Sequence, residues 1–126
     1  MAKKYRVGII GCGGMGHSHA RAWSEKPVVE LVAAADINEE AARKLAQEFS
    51  IPSVYTDYNE MLAKEDLDIV SIPTWQGVRA EITVAAANAG VRGILGEKPM
   101  AASLGEADDM IEALSLIHIS EPTRLG

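Results

Sequence analysis

The sequence predicts an α/β fold, a parallel sheet wound with helices on both faces, and three observations point to it. Short apolar runs alternate with segments of helical period along the chain, as successive βαβ units do. The run Val7-Gly8-Ile9-Ile10 is apolar throughout and ends at Gly11, as expected of a strand buried on both faces. A glycine-rich turn, Gly11 to Gly16, follows that run and opens directly into a helical pattern.

The remaining elements follow in order. A helix is expected over 14–25, stopping before Pro27, and a second strand over 30–35 that ends on Asp36. Asn38 is a good N-cap for the next helix, with Glu39 and Glu40 in the first turn where the helix dipole favours anions. Ala42, Leu45, Ala46 and Phe49 recur on its inner face. A weaker strand is read at 53–55, then a helix opened by Asp57 and Glu60 as a variant capping box. The fourth strand is expected at 68–72 and the fifth at 91–95. Between them Val78, Ile82, Ala85, Ala86 and Ala89 mark a helix closed by Gly90. Ser103 and Glu106 cap a last helix whose inner face carries Leu104, Ala107 and Ile111. Right-handed crossovers then give a doubly wound sheet of order 3-2-1-4-5.

Composition bounds the function. At 126 residues the chain can bury one core and not two. A 48% hydrophobic and 24% charged content is that of a soluble globular domain. A net charge of −6 argues against a nucleic-acid partner, which needs a clustered basic surface. No apolar run approaches the roughly 20 residues of a membrane span. The basic start, Met1 to Arg6, has no long apolar region after it, so no signal peptide is read. The single cysteine, Cys12, cannot form an intramolecular disulfide, and a cytoplasmic location fits best.

Gly11-Cys12-Gly13-Gly14-Met15-Gly16 is a G-x-G-x-x-G loop. Gly11 suits the tight turn out of the strand, Gly13 close approach to a pyrophosphate, and Gly16 close packing of the helix. The helix start then offers unpaired N–H groups to phosphates. Asp36 lies twenty residues after Gly16, at the end of the second strand, where a carboxylate can accept hydrogen bonds from the adenosine ribose. With Asp36 present and Ile37-Asn38 offering no cation for a 2′-phosphate, NAD is preferred to NADP. A tight strand–helix turn without a ligand is the plainer alternative. His17 and His19, about 200° apart on a helix, do not make a metal site, and no metal is expected. His19 is read as packing near the loop or cofactor. Cys12 is read as filler in the loop, a redox-active thiol being the lesser alternative.

A second constellation, Gly96-Glu97-Lys98-Pro99, follows the fifth strand. Ligands of open α/β sheets bind beyond the carboxyl ends of the strands. Lys98 there could meet a nicotinamide ribose or a substrate hydroxyl, with desolvation lowering its pKa for proton transfer. Pro99 fixes the local backbone, with a cis Lys98–Pro99 bond as one option. A surface lysine before a helix-starting proline remains the alternative.

With both motifs in view, the chain resembles the Gfo/Idh/MocA oxidoreductases, a family named for glucose–fructose oxidoreductase and inositol dehydrogenase. The resemblance rests on the glycine loop, Asp36, Ile72-Pro73-Thr74 and Glu97-Lys98-Pro99-Met100, and covers roughly residues 4–113. It implies a Rossmann-type domain whose enzyme transfers a hydride between a nicotinamide and a hydroxyl-bearing carbon of a sugar, inositol or similar polyol. It implies that Lys98 is catalytic, touching cofactor and substrate and assisting proton transfer. It also implies that Ile72, Pro73, Thr74, Trp75 and Gln76 line the cofactor cleft, with Trp75 either shielding the cofactor or standing as a loop aromatic. Ile37, Glu97 and Pro99 complete the expected cofactor-binding set. One departure is visible: many members carry a histidine a few residues after the loop's proline, where Gly77 and Val78 stand here.

Family members run to twice this length or more, and their second domain supplies the substrate pocket. Residues 114–124 resemble the in-frame translation of a sequencing adapter. The expectation is therefore a dinucleotide-binding domain over 1–113, a non-native tail over 114–126, and truncation before a sixth strand and the α/β substrate domain. The full-length enzyme is expected to be a homo-oligomer. A stand-alone dinucleotide-sensing or regulatory module without catalysis is the competing reading.

Overall fold

In the computed structural model, which describes residues 4–73, 76–96, 108–109 and 111–113, the apolar run before the glycine loop lies in β1 (Tyr5–Ile10) at the centre of a sheet. It leads through the glycine loop into α1 (Gly14–Ser24). The chain continues as β2 (Val29–Ala35), α2 (Glu39–Phe49), β3 (Ser53–Tyr55), α3 (Tyr58–Lys64), β4 (Ile69–Ser71), α4 (Gln76–Asn88) and β5 (Gly93–Leu95). The strands pair in parallel in the order β3-β2-β1-β4-β5, the order the crossover rule predicts. The expected cap of the last helix, Ser103 with Glu106, lies outside the described residues, as do Leu104 and Ala107.

The two-residue period of the strands divides the core into two layers. On one face Val7 and Ile9 of β1 and Ile69 of β4 pack with Ala20, Trp23, Leu45 and Ile51. On the other, Ile10, Val70 and Ile72 pack with Met61, Leu62, Ile82 and Ala86. Helices α1 and α2 therefore cover one face, α3 and α4 the other. Ile111 joins the first layer, and Asp108 reaches Lys26 at 2.7 Å, which fixes the side of the sheet on which that turn lies.

The strand ends differ from expectation for identifiable reasons. β1 starts at Tyr5, whose N–H donates to Val28. β4 starts after Asp68, because that residue spends its groups on neighbours. Its carboxylate accepts the Arg6 N–H, and its carbonyl accepts the N–H groups of Arg92 and Gly93. Val91, expected in β5, instead donates to Ala86 and closes α4, with Gly90 at φ +91 making the turn. Asn38 caps α2 by accepting the Ala41 N–H. Asp57 caps α3 through Asn59 rather than Glu60, and Glu60 faces Lys64 instead.

Candidate cofactor-binding site

All five strands run in one sense, so their carboxyl ends form one edge, where the loops after β1 and β2 lie with Ile72 after β4 and Gly96 after β5. The turn out of β1 requires Gly11, whose φ of +106 lies in the region that favours glycine. Its N–H donates to the Ala35 carbonyl at 2.8 Å, so the loop is stitched to the end of β2. Gly16 is required by contact, not by turn geometry. A Cβ there would stand 2.3 Å from the Gly11 carbonyl oxygen, so α1 packs against the loop only because Gly16 has none.

Gly13 and Gly14 are exposed, and a Cβ on either would meet nothing within 4 Å. No side chain caps α1, and no acidic residue sits in its first turn. The first backbone bond of the helix runs from the His17 N–H to the Gly13 carbonyl. The N–H groups of Gly14, Met15 and Gly16 precede it, and with the helix dipole they form an anion-accepting end. Such an uncapped, uncrowded helix start can accept a phosphate group.

Asp36 stands beside the loop at the end of β2. One carboxylate oxygen accepts the Cys12 N–H at 2.8 Å, and the other accepts the Asn38 N–H at 2.8 Å. A carboxylate offers about four acceptor positions, so each oxygen keeps capacity for a further donor, such as a vicinal diol. Ile37, next in sequence, is 95% exposed, an apolar side chain in water beside the acid.

Cys12 is buried, with its Sγ 3.4 Å from the Ala35 carbonyl. Burial, with the Asp36 charge beside it, pushes the thiol up from 9.0 to about 12. A neutral, enclosed thiol is a poor nucleophile, which agrees with reading Cys12 as a packed residue of the loop. His19 is buried on the inward face of α1 with Gly16, Ala20 and Trp23. His17 turns toward α2, where its Nδ1 lies 2.9 Å from Glu48 and its ring meets Phe49 edge-on. Among the described residues no cluster of three His, Cys, Asp or Glu could hold a metal ion. No helix there is long and apolar enough to cross a membrane.

After β4, the Ile72 N–H donates to Leu95, and the Ile72 side chain is wholly buried in the second core layer. Pro73 is buried as well. These two support the floor of the edge. Thr74, Trp75, Glu97, Lys98 and Pro99 lie outside the described residues. Sequence reasoning did not single out Arg79 in the first turn of α4. Its guanidinium lies against Gly96, 3.5 Å from where a Cβ would stand, immediately before Glu97.

The sequence matches the oxidoreductase family with an NAD-binding Rossmann fold, Gfo/Idh/MocA, over residues 5–116. The D-apiose dehydrogenase of Paraburkholderia graminis is 36% identical over 111 residues, 88% of this chain and 29% of the relative. The D-xylose 1-dehydrogenase (NADP(+)) 2 of Haloferax volcanii is 36% identical over 99 residues, 79% of this chain and 30% of the relative. Among solved structures, scyllo-inositol dehydrogenase from Lactobacillus casei with bound NAD(H) and scyllo-inositol superposes with a TM-score of 0.70. It is 25% identical, and the match covers 90% of this chain and 34% of that one. The chain spans about a third of the length of the curated relatives it matches.

Proposed function

The chain belongs to the Gfo/Idh/MocA oxidoreductase family, and from that premise we propose that residues 1–113 form the cofactor-holding domain of a dehydrogenase acting on a sugar, inositol or similar polyol. The observation that carries the reading is the Asp36 carboxylate, held by two backbone N–H groups at the open edge of the sheet beside an uncapped helix start.

In this reading the backbone of Gly11 to Gly16 receives the pyrophosphate, which Gly13 admits because nothing occupies the space over it. Asp36 accepts the adenosine ribose hydroxyls and repels a 2′-phosphate, which favours NAD. Ile37 offers its exposed face to the adenine. Ile72 to Trp75 line the nicotinamide side, and Glu97, Lys98 and Pro99 close it, with Lys98 moving a proton at the substrate hydroxyl. The bound nicotinamide supplies hydride transfer to and from the hydroxyl-bearing carbon. The relatives named above are dehydrogenases, and the alternative of a non-catalytic sensing module draws no support from them.

The test is a titration of the chain with NADH and with NADPH, read as energy transfer from the tryptophans to the reduced nicotinamide. NADH is expected to bind more tightly, and Asp36→Ala to weaken NADH more than NADPH. Absence of binding by both at millimolar concentration overturns the reading. A larger loss for NADPH removes the ribose role from Asp36.

A further inference from the structure

We infer that Cys12 is a positioning residue for cofactor selectivity, its buried side chain locking the loop that aims the Asp36 carboxylate. The inference rests on the proposed cofactor reading and extends it from the acid to the group that orients it.

The two residues meet through a bracket of short contacts. The Cys12 N–H holds one Asp36 oxygen at 2.8 Å. The Cys12 side chain is only 2% exposed and belongs to the core layer that includes Val7, Ile9 and Leu45. Its S–H faces the Ala35 carbonyl at 3.4 Å, an oxygen that also accepts the Gly11 N–H. The side chain thus anchors the one loop residue whose backbone holds the acid. The anchor needs a side chain small enough for the enclosed space and able to donate. Serine shares both properties; alanine lacks the donor, and valine lacks it and adds a branch.

A fixed carboxylate discriminates better than a mobile one. Held by Cys12 and Asn38, it presents both oxygens to a diol and cannot swing away from a 2′-phosphate. Once the loop loosens, NADH loses a preorganised acceptor and NADPH gains relief from repulsion. The ratio of the two affinities is therefore the diagnostic quantity. A role confined to packing would lower the melting temperature and leave that ratio where it was.

The experiment measures dissociation constants for NADH and NADPH, with thermal melts, for the wild-type chain, Cys12→Ala, Cys12→Ser, Asp36→Ala and the double variant. Cys12→Ala is expected to shrink the NADH preference at least fivefold, and Cys12→Ser to restore most of it. In the Asp36→Ala background, Cys12→Ala should not change the ratio further, because the group it positions is gone. An unchanged ratio in Cys12→Ala, or a Cys12→Ser ratio no better than that of Cys12→Ala, overturns the inference. Should Cys12→Ala fail to fold, Cys12→Ser against Cys12→Val decides it: equal ratios in that pair refute the donor role. Wild-type chain that binds neither nucleotide refutes the cofactor reading itself, whereas wild-type binding with an unmoved ratio refutes only the role of Cys12.

Discussion

The Trp23 indole N–H donates to the Ser71 hydroxyl across 2.6 Å, and both side chains are fully buried. The bond ties α1, which begins at the glycine loop, to β4, which leads into Ile72 and Pro73 at the carboxyl edge of the sheet. Ser71→Ala leaves the indole N–H without that acceptor in an apolar layer. The expected cost is about 1–3 kcal/mol, seen as a thermal midpoint several degrees lower. An unchanged midpoint would show that the contact adds nothing to stability.

Ser50 ends α2 with φ 55 and ψ 43, the left-handed conformation, while its N–H donates to Ala46. It is exposed, so no packing offsets the crowding of its Cβ. Ser50→Gly should stabilise the fold by roughly 0.5–1 kcal/mol. The check is the urea midpoint, which should rise with an unchanged m-value. A fall would mean that glycine's extra freedom in the unfolded chain outweighs the relieved backbone.

Cys12, Tyr55 and Tyr58 each make stability fall in alkali, Tyr58 through burial and then the Glu81 charge. Burial, then the Asp36 charge, raises the Cys12 thiol from 9.0 to about 12. The hydrogen bond to Glu65, then burial, raises the Tyr55 phenol from 10.0 to about 12. Above the ordinary values the unfolded chain has released these protons while the folded chain still holds them. Their contribution is thus complete below about pH 9 and is lost toward pH 12, by at most about 1.4 kcal/mol per pH unit for Cys12 and by less for the more solvent-screened Tyr55. Urea midpoints at pH 8, 9, 10 and 11 should fall less steeply for Cys12→Ala than for wild type. Parallel decline in the two proteins would mean that the thiol does not titrate as described.

Features that depend on neighbouring residues could be read from the sequence, and those that depend on distant ones could not. The Asn38 cap, the Gly90 turn and the strand order follow from local chemistry and from the handedness of crossovers. Asp36 was identifiable because strand length and helix length together set its spacing from the glycine loop. Its partner was not: the Cys12 N–H meets it only once the loop has folded back over the end of β2. Asp68 misled for the same reason. Its apolar neighbours read as strand, but its partners Arg6, Arg92 and Gly93 come from two other strand starts. Asp57 shows the limit of even a local motif, since its carboxylate accepts the Asn59 N–H while the Glu60 N–H donates to the Asp57 carbonyl.

Two glycines of the loop should separate architecture from ligand binding. A Cβ on Gly16 would lie 2.3 Å from the Gly11 oxygen and 3.2 Å from the Gly11 carbonyl carbon, so backbone must move. Gly16→Ala is therefore expected to lower both the thermal midpoint and the NADH affinity, the latter by tenfold or more. Gly13 has φ −80, which alanine adopts without strain, and its Cβ would meet nothing in the free protein. Gly13→Ala should melt within a degree or so of wild type, yet bind NADH at least tenfold more weakly, because in the proposed cofactor reading the added methyl stands where the pyrophosphate approaches. Wild-type affinity in Gly13→Ala would place the phosphates elsewhere. An undisturbed melt in Gly16→Ala would mean that α1 can slide on the loop, and that the close contact is tolerated without being required.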